Sequence, residues 1–148
     1  MRGAGADVGG PSVSRPSASA RRRLARWHAQ HAELLDTLAA CPHPTDLRGV
    51  PISEQLAACR SLLEAVEAVE AVGDPPDPLA SQRLAQALSL YRHCAQRWMV
   101  AATEQDSAAL AAAARARRHA ASAFPFSAEA SDLLAQEPGA AVHVSWAM

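Results

Sequence analysis

Residues 78–124 read PLASQRLAQALSLYRHCAQRWMVAATEQDSAALAAAARARRHAASAF, the longest helical pattern in the chain. Leu84, Leu88, Tyr91, Ala95, Trp98 and Ala102 recur at a 4-3-4-3-4 spacing, which gathers them on one face of an α-helix. Gln82, Gln86, Ser89, His93 and Gln96 run down the opposite face at the same spacing. One face is built for burial and the other for water. Asp77 followed by Pro78 is a start signal, a capping acid before a proline at the first helical position. From there to Gln105 a helix would extend about 42 Å at 1.5 Å per residue.

Asp106 decides the architecture. Thr103, Asp106 and Ser107 all compete for backbone hydrogen bonds, so a turn or sharp kink is expected there, with Asp106 capping a further helix that folds back. The alternative is one rod continuing to about Ala123. Beyond Asp106 the stripe is mostly alanine with Leu110 and Phe124, and Arg115 and Arg118 face away from it. A continuous rod would leave that alanine face for another protein to cover.

Working back toward the N-terminus, Gly73, Asp74, Pro75 and Pro76 supply a hard stop for the preceding helix. That helix is expected to enter at Pro51 or Ser53 and to bury Ile52, Leu56, Cys59, Leu63 and Val66. It ends in EAVEAVEAV, Glu64 to Val72. A strict period of three turns the valine row by about 60° per step around a 3.6-residue helix, so Val66, Val69 and Val72 wind around the surface. A first helix is expected from about Ser19 to Ala40, with Leu24, Trp27, His31, Leu34, Leu38 and Cys41 in a 3-4-3-4-3 seam, Leu35 beside it, and Pro42 and Pro44 ending it. Residues 1–18, rich in Gly, Ser, Ala and Pro, bury too little surface to offset ordering and read as a flexible, disordered arm.

Toward the C-terminus, Ser127 can cap a short helix through about Gln136, closed by Pro138 and Gly139. In residues 137–148, Val142, Val144 and Trp146 alternate with His143 and Ser145 at the period of a strand. The expected fold class is therefore all-α. It is an antiparallel helical bundle of three to four helices over residues 19–136, with the arm before it and a tail after it.

The composition is unusual for a chain of 148 residues. It holds six aromatic residues, one isoleucine, no lysine and no asparagine, so each of fifteen leucines carries more of the core than usual. Lysine and asparagine have AT-rich codons, and their absence points to a GC-rich bacterial genome in which arginine stands in for lysine. The net charge of −1 conceals an alternation. Residues 1–32 are basic, 33–82 acidic, 83–119 basic and the end acidic, a pattern that favours pairing between segments over a single-sign face for nucleic acid.

Cys41, Cys59 and Cys94 are odd in number, far apart and without CxxC spacing, which reads as buried thiols in a reducing, cytoplasmic compartment. No apolar run approaches the roughly 20 residues that span a bilayer. After Arg21, Arg22 and Arg23 no apolar segment follows to make a secretion signal.

Three site readings follow from the residues. Trp27, Leu84, Leu88, Tyr91, Trp98, Leu110 and Trp146 are the bulky apolar positions available to a helix-docking partner or to self-association. Arg21, Arg22, Arg23 and Arg26 form a basic opening to the first helix, with Trp27 as a stacking group, and Arg115, Arg117 and Arg118 form a second cluster; nucleic acid is the alternative partner. His28 and His31, at i and i+3, can share a metal ion, so a metal- or haem-binding protein is a further alternative, although the same pair reads as residues flanking the apolar stripe. No phosphate loop, nucleophile elbow or carboxylate pair is present. Cys94 lies among Arg92, His93 and Arg97, but neighbouring His93 points about 100° away around a helix. The expectation is a small bacterial adaptor or scaffold working through helix-to-helix association, not an enzyme, and needing no cofactor.

Overall fold

The computed structural model describes residues 17–124, where every regular element is helical. In chain order these are α1 (Ala18–Gln30), α2 (Ala32–Ala39), a 3-10 turn (Pro44–Leu47), α3 (Ile52–Val72), α4 (Pro78–Glu104) and α5 (Ser107–Ala123). Of the expected arm over 1–18, Ser17 and Ala18 instead open α1 and residues 1–16 lie outside the described residues, as do the short helix expected over 127–136 and the tail carrying Val142, Val144 and Trp146.

The described residues form five α-helices, because the first expected helix divides in two in addition to the break expected near Asp106. That break falls at Gln105 and Asp106. Gln105 takes the left-handed conformation, with φ 54° and ψ 42°, and Asp106 Oδ1 accepts from the backbone N–H groups of Ala108 and Ala109 at 2.9 and 3.1 Å. A residue at positive φ ends α4 and a carboxylate starts α5. The other division falls at His31. No proline or glycine causes it, and hydrogen bonds from the His31 N–H to the Trp27 carbonyl and from the Leu35 N–H to the His31 carbonyl still run across it. It is a bend between two short helices, with the His31 ring 5.1 Å from that of Trp27.

The remaining ends follow their side chains. Ser17 Oγ accepts from the Ala20 N–H and opens α1. Asp77 Oδ2 accepts from the Ala80 N–H at 2.8 Å, with Pro78 in the first turn of α4. Gly73, at φ 95°, closes α3 in a conformation that glycine adopts without a Cβ penalty.

α4 is the centre of the packing, in contact with both α3 and α5. Its stripe of Leu84, Leu88, Tyr91, Ala95, Trp98 and Ala102 is buried, together with Ala87 and Cys94. α5 answers it with Ala109, Ala113, Ala116, Ala120 and Ala123, small side chains against which the bulky row of α4 can seat closely. α3 departs from its expected stripe. Cys59, Leu62, Val66 and Val69 are buried, whereas Leu56 and Leu63 are half-buried and Ile52 is exposed. Along the period-three valine row, Val66 and Val69 reach the core and Val72 has turned partly out. Two cross-links tie α3 to α4. Gln55 Oε1 accepts from the Trp98 indole N–H at 3.2 Å, and Glu70 pairs with Arg92 at 2.7 Å.

No helix among the described residues is long and apolar enough to cross a membrane.

Candidate functional site

Five of the seven bulky residues expected to meet a partner are taken up by the chain's own core. Trp27, Leu84, Leu88, Tyr91 and Trp98 are buried, with Trp98 and Tyr91 at 0% exposure, and Leu110 is half-buried. Trp146 lies outside the described residues. Partner contact at the first five would require the core to open, so surface chemistry has to be sought elsewhere.

A concavity lies where the far end of α4 meets the start of α3. It is an open groove of about 780 Å³. One wall is the 3-10 turn and the loop after it, with Thr45, Arg48, Gly49 and Val50, continued by Ile52 and Gln55 of α3. The other wall is the α4–α5 corner, with Ala101, Ala102, Gln105, Asp106, Ser107, Leu110 and Ala111. The lining mixes apolar side chains, Val50, Ile52, Ala101, Ala102, Leu110 and Ala111, with polar ones that include Arg48, Gln105, Asp106 and Ser107. Ile52 is 44% exposed, one of two large apolar side chains so exposed among the described residues; the other is Leu79 at 48%, at the opposite end of α4.

Each wall is held by identifiable bonds. The Gln55 amide donates to the Val50 carbonyl at 2.8 Å while its oxygen accepts from Trp98, so one glutamine ties the loop to the core. On the other wall, the Asp106 cap fixes the corner. Sequence reasoning placed Ile52 in the buried stripe and so missed the groove. No local signal sets Ile52 apart from the rest of that stripe.

Arg117 is the second feature that sequence reasoning misplaced. Read as one of a surface cluster, it instead reaches inward. Its Nη2 donates to the carbonyls of Ala39 and Cys41 at 2.9 and 3.2 Å, its Nη1 donates to the Tyr91 hydroxyl at 3.4 Å, and its guanidinium lies over the Tyr91 ring. Carbonyls left over at the end of α2 receive a cation, the complement that a helix C-terminus favours. Arg115 and Arg118 remain exposed. On α1, Arg22, Arg23 and Arg26 are exposed and Arg21 is half-buried, and Arg23 donates to Ser19 Oγ at 2.8 Å.

The histidine pair is packed among aromatic rings. His28 is 2% exposed and stacks on Phe124 with centroids 5.5 Å apart and planes 6° from parallel, while Trp27 meets His28, His31 and Phe124 edge-on. This cluster docks α1 onto the end of α5. Among the described residues no group of three or more His, Cys, Asp or Glu side chains is gathered to hold a metal ion.

The three cysteines are free thiols. Burial pushes Cys94 up to about 12, with neighbouring Cys41 adding to the rise and Arg117 opposing it. Burial likewise pushes Cys59 up to about 11 against the charge of Arg60, and raises Cys41 against Arg117. A nucleophilic cysteine needs the opposite shift.

No protein-family model, curated protein or solved structure matches the chain.

Proposed function

We propose that this chain is a small bacterial, cytoplasmic adaptor or scaffold, without catalytic activity, that works by protein–protein association through the groove at the α4–α5 corner. The observation that carries the reading is Ile52, a large apolar side chain 44% exposed in the lining of a groove whose walls are fixed by Gln55 and Asp106. A concavity lined by both apolar and polar side chains suits an apolar anchor from another surface. Three free thiols support a reducing compartment. In this reading α3, α4 and α5 run antiparallel as a bundle. The support is that Gln55, early in α3, bonds Trp98, late in α4, while Glu70, late in α3, pairs with the earlier Arg92.

Light scattering on dilution, paired with capture of partners on immobilised protein, tests the reading. Association that is lost in Ile52→Asp is the expected result. A monomer at every concentration that retains nothing in capture would overturn it.

A second reading has its own observation, the exposure of Arg22, Arg23 and Arg26 along one helix. As a nucleic-acid accessory protein, the chain would bind DNA or RNA at low salt and release it as salt rises. Binding that is absent at low salt, or that survives Arg21, Arg22 and Arg23 becoming alanine, removes this reading.

A further inference from the structure

We infer that the occupant of the groove is the same groove on a second copy of the chain, joined about a two-fold axis. This deepens the association reading and rests on it. In a two-fold contact one patch meets itself, so each feature on one wall must find its complement on the other. The groove meets that condition in two ways. It offers a large exposed apolar side chain, Ile52, and, on the facing wall, the small apolar side chains of Ala101 and Ala111 to receive one. It also carries one cation, Arg48, and one anion, Asp106, on opposite walls.

Arg48 and Asp106 do not pair with each other. Among the described residues the ion pair within 4.0 Å is that of Glu70 with Arg92. Asp106 uses Oδ1 for the α5 cap, which leaves Oδ2 available without disturbing the corner. Across a two-fold axis Arg48 of each copy faces Asp106 of the other, two pairs from one surface. An unrelated partner would need both a matching charge order and a matching apolar side chain; a second copy has them by construction.

Sedimentation equilibrium across a wide concentration range tests this, with Leu79→Asp as a control for a charge placed at the other exposed apolar site. The wild type and Leu79→Asp are expected to approach twice the chain mass. Ile52→Asp is expected to weaken association at least about 10-fold, since it forces a carboxylate against apolar side chains. Arg48→Glu, which sets like charges opposite Asp106, is expected to weaken it more than Arg48→Ala, and adding Asp106→Asn to Arg48→Glu to restore part of the loss. Asparagine caps a helix as well as aspartate does, so the corner survives in that variant. Circular dichroism confirms that each variant keeps its helices. A wild type that stays monomeric at millimolar concentration overturns the two-fold pairing; if it then still captures a protein that Ile52→Asp does not, the association reading stands with another occupant. A dimer indifferent to both Ile52→Asp and Arg48→Glu overturns the groove as its seat and leaves association itself intact.

Discussion

The guanidinium of Arg117 lies 5.3 Å from the centroid of the Tyr91 ring. A cation over an aromatic face is attracted by the ring quadrupole, and the same guanidinium reaches past the ring to the carbonyls of Ala39 and Cys41. One side chain from α5 therefore joins α4 to the end of α2, elements far apart in sequence.

Arg117→Ala is expected to destabilise the fold by roughly 1.5–3 kcal/mol, the range for hydrogen bonds made by a charged group, measured by urea unfolding. Arg117→Lys should recover little of it. A lysine ammonium cannot reproduce the planar fork that serves two carbonyls and a ring together. A lysine variant as stable as the wild type would show that charge, not geometry, matters at this position.

The α4–α5 corner separates two opposing effects. Asp106→Ala removes the acceptor for two N–H groups and is expected to cost about 1 kcal/mol. Gln105→Gly relieves a side chain held at φ 54° and is expected to gain about 0.5–1 kcal/mol, after allowing for the extra chain entropy of glycine. Thermal unfolding of both variants checks the signs. A loss of stability in Gln105→Gly would mean that its side chain contributes more to the corner than its backbone costs.

The buried acids give an alkaline limit. Tyr91 is pushed up to about 12 by burial, against the opposing charge of Arg117, and Cys94 and Cys59 rise to about 12 and 11. Each group holds its proton more tightly folded than unfolded. Its stabilising contribution is complete below the ordinary values of 9.0 for a thiol and 10.0 for a phenol, and is lost as pH climbs toward the folded values. The urea midpoint is expected to be unaffected by these groups to about pH 8.5 and to fall between about pH 9 and 12. At pH 8 an aromatic disulfide reagent should label Cys59 and Cys94 slowly when the chain is folded and fast in urea. Rapid labelling of folded protein at these two sites would contradict their burial.

Phe124→Ala tests how α1 is held. The ring stacks on His28 and meets Trp27 edge-on, so truncation should cost about 3–5 kcal/mol. The loss is expected to be concentrated at α1, read as faster amide exchange over Ala18–Gln30 than over α4.

Much of this architecture could be read from residue spacing. The six-residue stripe of α4, its polar face, the Asp77 cap and the Gly73 stop are local signals, set by helix period and backbone preference. The break at Asp106 was legible for the same reason, since three side chains there compete for backbone bonds. What escaped depends on tertiary partners. Ile52 satisfies the spacing of the α3 stripe as well as Leu56 does, and its exposure follows from where α4 ends. Arg117 differs from Arg115 and Arg118 in no local property, and only the carbonyls of Ala39 and Cys41, some 76 to 78 residues earlier, distinguish it. The bend at His31 likewise has no proline or glycine to announce it. For the candidate site, five of the side chains expected from the sequence to meet a partner, Trp27, Leu84, Leu88, Tyr91 and Trp98, are taken by the core.

Hydroxyl-radical footprinting across a concentration series reads the proposed contact at the residue that carries it. Ile52 and Leu79 start at similar exposure, 44% and 48%, one at the groove and one at the other end of α4. If the groove pairs with a second copy, oxidation of Ile52 falls several-fold as the protein is concentrated while that of Leu79 does not change. Equal oxidation of both at every concentration would contradict the account.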